Sequence, residues 1–163
     1  MMCANYRRFL LLLTLIATLF FANPILPVMA VDYNRGNLVG EDFSGQDLRD
    51  DLFDHANLRS SNFSHANVQG VRFFSANLDS ANFEGADLRG ADLEVARLSN
   101  ANFTNARLEG AFATNILVKG IIIDGADLTE VLLDPKTEKY LCTIATGTNP
   151  ITGRNTKDTL YCP

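Results

Sequence analysis

A large apolar side chain occurs at almost every fifth position from Leu38 to Leu133, with Ala113 as the exception, and Leu or Phe fills 16 of these 20 positions. A period of five matches neither the 3.6-residue period of a helix nor the two-residue alternation of a strand. It is typical of a solenoid, in which short units stack and share one continuous core. The period therefore constrains the fold much more than it constrains the function.

A small residue stands two positions before most of these large ones, and a polar residue usually lies between them. The unit Ala81-Asn82-Phe83-Glu84-Gly85 is typical. Units of this form run from residue 36 to residue 135 in one register, and the pattern resembles that of the pentapeptide-repeat family. This resemblance implies a right-handed, four-sided β-helix.

The large positions also repeat with a period of twenty. One column contains phenylalanine four times in succession, at Phe43, Phe63, Phe83 and Phe103. Four units per turn would place these rings above one another, with successive coils about 4.8 Å apart. We therefore predict an all-β solenoid over residues 31–135, a quadrilateral β-helix of about five coils with these phenylalanines as a core ladder. Such a tube is filled with side chains, so anything that it binds must bind outside.

The first 30 residues differ in composition from the repeat. Two arginines precede an apolar run from Phe9 to Ala22, and Val28-Met29-Ala30 offers small residues before a cleavage point. This arrangement is typical of a secretory signal peptide, residues 1–30, so we expect an exported chain that begins at Val31. A membrane anchor is the alternative, but the run of 14 residues is shorter than the roughly 20 that span a bilayer. Loss of the two arginines would change the net charge from −5 to −7.

The segment after the repeat is predicted to form a C-terminal cap, residues 136–163. Asp134 and Pro135 are suited to begin a short helix that runs through Cys142. Cys142 and Cys162 remain after cleavage, and in a short exported chain they favour a disulfide, with two free thiols as the alternative. The tail resembles the C-terminus of small pentapeptide-repeat proteins of the thylakoid lumen. That resemblance implies a lumenal location, with the periplasm as the alternative.

Both ends of the predicted β-helix carry unusual residues. In the last coil, apolar residues occupy positions that are polar elsewhere: Phe112, Leu117, Ile122 and Leu132. We expect the cap to cover them at least in part, because an uncovered coil exposes core and strand edge. In the first coil, Glu41 and Asp51 occupy positions that are small elsewhere. Either this end is open to water or the first coil is distorted.

Ser, Thr and Asp are plentiful, but none of them is spaced with a histidine in a pattern typical of a catalytic site. His55 and His65 are the only histidines, and both fall at predicted corners. The acidic cluster at residues 47–54 suits a solvated surface better than a calcium site. The sequence contains no phosphate loop, nucleophile elbow or acid pair with a pocket. We therefore predict no catalytic residue, no cofactor and no metal site.

Three functions compete. The first is a non-enzymatic protein-interaction or scaffold module, for which Phe74 is the candidate partner contact because it is apolar at an outward position. The second is a DNA mimic that binds gyrase, as some members of the family do, but arginines interrupt the acidic surface and export removes the chain from DNA. The third is a non-catalytic subunit of a lumenal enzyme or photosynthetic assembly complex. We expect a monomer or weak dimer that binds an unidentified protein and no nucleic acid, without stable membrane insertion after cleavage.

Overall fold

The structure is a computed structural model that describes residues 30–162. The predicted signal peptide lies outside the described residues, apart from Ala30. From Asp32 to Glu130, each five-residue unit has one or two residues paired with a neighbouring turn of the solenoid, followed by a two-residue turn. The bridges that join one unit to another are parallel and link residues twenty apart, such as Asn62 and Asn82. The chain therefore bends every five residues and returns alongside itself after twenty.

Backbone hydrogen bonds join each stretch of twenty residues to the next. The Leu78 N–H, for example, donates to the Arg97 carbonyl at 2.8 Å. Longer strands form only near the C-terminal end of the described repeats, where β1 (Phe112–Ala113) pairs in parallel with β2 (Leu132–Leu133). The period of twenty in the sequence is thus the period of the backbone pairing.

The second turn residue of most units has a positive φ angle, the region that suits glycine. Glycine fills eight of these corners in the repeat region, and serine, asparagine or histidine fills most of the others. Val95 is an exception, because a β-branched residue stands there at φ 60°. The glycine and asparagine residues at these corners therefore match a backbone that requires a positive φ angle.

Inward side chains fill the interior in columns. Four phenylalanine rings stack with 4.9 Å between successive centroids: Phe43, Phe63, Phe83 and Phe103. A second column, which contains Phe53 and Phe73, meets these rings edge-on. The alanines two positions before the large residues are buried as well. Each buried phenylalanine or leucine contributes on the order of 1.5–3 kcal/mol to stability.

The N-terminal end of the solenoid is open to water. Glu41 is exposed. Asp51 is only 8% exposed, and its carboxylate accepts a hydrogen bond from the Val31 N–H at 2.7 Å. A bridge between Asp32 and Leu52 keeps this turn in the regular pairing pattern. Glu41 is therefore accommodated by exposure to water and Asp51 by a hydrogen bond from the backbone, and the first turn keeps its regular pairing.

Helix α1 (Pro135–Ile144) begins directly after β2. Its N-cap is Asp134, whose carboxylate accepts hydrogen bonds from the N–H of Thr137 at 3.0 Å and from its hydroxyl at 2.8 Å. The predicted start of the helix is therefore confirmed. The helix continues to Ile144 and does not end at Cys142 as predicted.

The remainder of the C-terminal segment, which we define as residues 135–162, folds back onto the repeats. Helix α2 (Thr156–Thr159) is a single turn. Leu141 and Leu160 are buried in the same core as the repeat residues. The predicted disulfide between Cys142 and Cys162 is present, with 5.6 Å between the Cα atoms. Neither helix in the described part of the chain is long and apolar enough to cross a membrane.

The outward apolar residues of the last turn are covered only in part, as expected. The C-terminal segment leaves the apolar residues at outward positions between 43% and 54% exposed: Phe112, Leu117, Ile122 and Leu132. The residue between two inward positions of an extended segment points outward whatever its type. The segment covers inward residues instead, because Leu141 lines a cavity of about 20 Å³ together with Ile116 and Ile121.

Candidate functional site

The histidines and the acidic cluster do not converge on a site. His55 and His65 occupy exposed corners with positive φ. Within residues 47–54, Asp47 pairs with Arg49 at 2.7 Å. Across residues 30–162, no group of three or more His, Cys, Asp or Glu side chains is arranged to hold a metal ion. These residues therefore offer charge at the surface and no organised ligand set.

Phe74, the predicted partner contact, is half-buried at a corner. Its ring centroid lies 5.7 Å from that of His55, with 55° between the ring planes. This contact covers part of the apolar surface of Phe74 within the protein itself. A role of Phe74 in binding stays a prediction, and more apolar surface is exposed at the C-terminal end.

Two sides of the solenoid carry polar side chains in different arrangements. On one side the Asn102 amide donates to the Asn82 side-chain oxygen at 3.0 Å, as one step of an amide ladder. On another side, charges of opposite sign alternate, and Asp87 lies 2.8 Å from Arg89 and 3.4 Å from Arg107. Paired charges of this kind do not form the continuous anionic surface that a DNA mimic needs.

A buried carboxylate joins the C-terminal segment to the repeats. Asp127 accepts a hydrogen bond from the Thr129 hydroxyl at 2.6 Å and one from Arg154 Nη1 at 3.0 Å. Burial raises the pKa of Asp127, but hydrogen bonds from Thr129 and Thr152 and the charge of Arg154 outweigh it. The pKa therefore lies below its ordinary value of 3.8.

Asn149 and Arg154 hold the segment in place, and sequence reasoning gave neither a role. The buried Asn149 side chain donates to the Gly125 carbonyl at 2.9 Å, and Arg154 also reaches Glu109 at 3.1 Å. Their partners are distant in sequence, so no local pattern indicates them. The Asn149-Pro150 pair indicates a turn, but it does not indicate where that turn docks.

Exposed apolar side chains concentrate on the last turn. We call four of them the terminal apolar set: Phe112, Leu117, Ile122 and Leu132. The bridge partners of the first three, one turn earlier, are polar: Asp92, Arg97 and Asn102. Phe112 and Leu132 are themselves bridge partners and form one patch on the same side. Contiguous exposed apolar patches, such as the one formed by Phe112 and Leu132, mark contacts with other molecules.

A groove of about 700 Å³ adjoins this set. One wall is the extended stretch that contains Leu117 and Val118, and the other wall is helix α1. The hydroxyl of Tyr140 accepts a hydrogen bond from the Gly120 N–H at 3.4 Å and so links the two walls. The groove is thus an external, mostly apolar depression between a strand edge and a helix.

The charged residues of the groove differ in how they are engaged. Asp134 caps α1, and hydrogen bonds from Thr137 hold its pKa below the ordinary value of 3.8. Lys119 and Lys136 also line the groove, and no ion pair of the described residues includes either of them. The groove therefore presents free positive charge in a chain whose net charge is −5.

A family model for pentapeptide repeats matches the chain in eight copies, over residues 37–73 and 76–112. Two curated relatives are chloroplast proteins of Arabidopsis thaliana. Thylakoid lumenal 15 kDa protein 1 is 50% identical over 44 residues, which is 27% of this chain and 20% of that protein. Thylakoid lumenal protein TL20.3 is 44% identical over 43 residues, 26% of this chain and 15% of that protein. The chain thus spans a fifth or less of these relatives.

Solved structures are similar over longer stretches. A pentapeptide repeat protein from the Arabidopsis thaliana thylakoid lumen is 46% identical, with a TM-score of 0.73 over 77% of this chain and 87% of that one. A pentapeptide repeat protein from Nostoc PCC 7120 is 31% identical, with a TM-score of 0.52 over 57% of this chain and 84% of that one. These neighbours imply that the described repeats form a right-handed β-helix. The homologues from Arabidopsis are proteins of the thylakoid lumen.

Proposed function

Since the chain belongs to the pentapeptide-repeat family, we propose that it is a non-enzymatic protein-interaction or scaffold module of the thylakoid lumen or the periplasm. The observation that carries the proposal is the terminal apolar set, whose four side chains are exposed. Three of them stand above polar residues of the preceding turn, and Leu132 stands above Phe112. The fully buried core of a protein interface is more apolar than the rest of the surface and is enriched in aromatic residues such as phenylalanine.

The finer architecture belongs to the same proposal. We infer a quadrilateral β-helix of about five coils over residues 31–135, followed by a helical, disulfide-linked cap over residues 136–163. Bridges between residues twenty apart support four units per turn. Helix α1 and the Cys142–Cys162 disulfide support the cap. The cap leaves the outward side chains of the last coil free for a partner.

Site-specific crosslinking tests the proposed interaction. A photoreactive residue replaces Leu132 in the chain that begins at Val31, and the protein is irradiated in an extract of its native compartment. We expect a discrete adduct with one partner protein. The matched control carries the same residue at Asn62, on the amide ladder, and should give no such adduct. Equal labelling from both positions, or none from Leu132, would contradict a partner on the terminal apolar set.

The location in this proposal follows from the predicted signal peptide, and the lumenal homologues support this location. Cleavage after Ala30 would convert the Val31 nitrogen, which lies 2.7 Å from the Asp51 carboxylate, into an ammonium group. A charge-assisted hydrogen bond is roughly twice as strong as a neutral one. The ion pair between the new N-terminus and Asp51 would therefore stabilise the first turn.

Two measurements test the processing. N-terminal sequencing of the native protein should begin at Val31, and retention of residues 1–30 would indicate an anchor. Asp51→Asn should lower the melting temperature of the chain that begins at Val31 more than that of a chain extended by an acetylated Ala30. An equal loss in both chains would contradict the ion pair.

A further inference from the structure

We propose that the edge formed by residues 116–118 binds an extended, acidic segment of a partner protein, which adds to the solenoid as one more strand in the groove beside α1. This inference rests on the proposed interaction function and names the chemistry of the partner. It requires a free strand edge, space beside that edge and charges of the right sign, and each is present in the groove.

The strand edge is free because its backbone groups lack partners. Among the described residues, the Val118 N–H donates to no acceptor and the Ile116 carbonyl accepts no hydrogen bond. One turn earlier both equivalent groups are paired: the Leu98 N–H donates to the Leu117 carbonyl at 2.8 Å, and the Ala96 carbonyl accepts from the Leu117 N–H at 3.1 Å. An added strand would repeat these two hydrogen bonds.

The chain itself does not fill this position. The residue twenty positions after Leu117 is Thr137, which lies in the first turn of α1 and bonds to Asp134. A neighbouring edge is paired by the C-terminal segment, where the Leu128 N–H donates to the hydroxyl of Thr159 at 3.1 Å. On the next side, the Ile123 N–H and the Ile121 carbonyl also have no partner among the described residues. Only the edge at Val118 borders the groove beside α1.

Space and charge select the kind of segment. The groove of about 700 Å³ borders the edge along its length. Its outward residue, Leu117, is 54% exposed and offers an apolar surface to the side chain stacked above it. Lys119 and Lys136 stand beside this surface without carboxylate partners in the described chain. Glutamate or aspartate residues of the added segment would therefore form ion pairs with these lysines. Strand addition supplies affinity through the backbone, and these side chains supply specificity.

The opposite end of the solenoid would reject the same segment. Its first turn also ends in a strand edge, but Glu41, Asp42 and Asp47 are exposed along it. Like charges placed side by side disfavour binding. An acidic segment should therefore bind in the groove beside α1 and not at the first turn.

Peptide binding tests the inference. The probe is a fluorescein-labelled heptapeptide of alternating valine and glutamate, and its binding to the oxidised chain that begins at Val31 is followed by fluorescence anisotropy. A peptide of alternating valine and glutamine should bind at least tenfold more weakly. A valine–glutamate peptide that is N-methylated at its central residue cannot donate to Ile116 and should also lose at least tenfold.

Variants of the protein locate the site. Val118→Pro removes the unpaired N–H and should weaken binding at least tenfold, whereas Val118→Ala keeps the N–H and should change it less than threefold. Lys119→Glu with Lys136→Glu should weaken binding at least fivefold. Lys139→Glu with Lys157→Glu is the matched control, because these lysines line a different depression beside the disulfide. That control should change binding less than twofold.

Hydrogen exchange provides the structural readout. The Val118 amide should exchange more slowly in the peptide complex, with no change at Asn62. Binding that is unaffected by Val118→Pro or by N-methylation, or an unchanged exchange rate at Val118, overturns the inference. If Val118→Pro does not fold, the N-methylated peptide on the unaltered chain decides the same point. A crosslinked partner at Leu132 together with no peptide binding would overturn this inference alone and leave the proposed function standing.

Discussion

The two ends of the solenoid are completed in different ways. At the N-terminal end, inward positions carry polar residues such as Glu41, and the end is open to water. At the C-terminal end, the corresponding inward positions carry Ile116 and Ile121, and helix α1 covers them through Leu141. A solenoid can therefore end either by replacing apolar residues or by covering them. The covered end also carries more exposed apolar side chains at outward bridge positions than the open end, where Leu52 is one.

This difference also bears on function. The open end presents mainly polar side chains, with Val31, Val39 and Leu52 as its exposed large apolar residues. The covered end combines exposed apolar residues, a groove and one unpaired strand edge at Val118. Each of these features would be a liability in a repeat protein with no partner, because free edges and apolar patches promote association.

The largest expected effect concerns the interior that both ends protect. Phe83 stacks between Phe63 and Phe103, so Phe83→Ala should lower the free energy of unfolding by about 3–5 kcal/mol. Phe43→Ala should cost less, since this ring has one stacked phenylalanine neighbour in its column and lies near the open end. Phe112→Ala is the surface control and should cost below about 1 kcal/mol. Denaturant unfolding measures all three, and equal losses would contradict the assignment of inward and outward columns.

Removal of the disulfide tests how much the C-terminal segment contributes to the stability of the covered end. Cys142→Ser with Cys162→Ser should lower the free energy of unfolding by roughly 2–4 kcal/mol, because the bond restricts the unfolded chain. Native-state hydrogen exchange should accelerate at Leu141 and Leu160 and stay unchanged at Phe53. Unchanged melting after reduction would mean that the bond forms without stabilising the C-terminal segment.

Acid should loosen the junction between that segment and the repeats. The folded-state pKa of Asp127 is below 3.8, so its contribution is complete above pH 3.8 and is lost as the pH falls through the lower folded value. Asp127→Asn should lower the free energy of unfolding by about 1–2 kcal/mol at pH 7, because Arg154 then donates to a neutral amide and not to a carboxylate. The gap between the two proteins should narrow below pH 3.8. Thermal unfolding from pH 3 to 7 measures it, and a gap that is constant with pH would exclude Asp127 as the titrating group.

The sequence predicts the repeating part of the molecule better than its ends. The period of twenty predicted the stacked phenylalanines, because every unit faces the same two constraints of inward packing and a tight corner. The partial exposure of Leu117 and Ile122 follows from strand geometry, which directs these side chains outward whatever their residue type. The docking of Asn149 and the free edge at Val118 depend on the path of a single, non-repeated segment. No period in the sequence encodes that path.

The smallest expected effect concerns the corners, which are shared by the whole repeat and independent of either end. Val95 and Val39 are both exposed turn residues, but only Val95 has a positive φ, of 60°. A left-handed conformation costs an L-residue roughly 1–2 kcal/mol, and glycine in place of another residue costs about 0.4–1 kcal/mol through the unfolded chain. Val95→Gly should therefore stabilise the protein by about 0.5–1 kcal/mol, whereas Val39→Gly should destabilise it. Val95→Asn should stabilise at least as much, because asparagine tolerates this conformation without the flexibility of glycine. Paired melting curves decide the point, and a loss of stability in both Val95 variants would show that the valine side chain contributes contacts that outweigh the backbone strain.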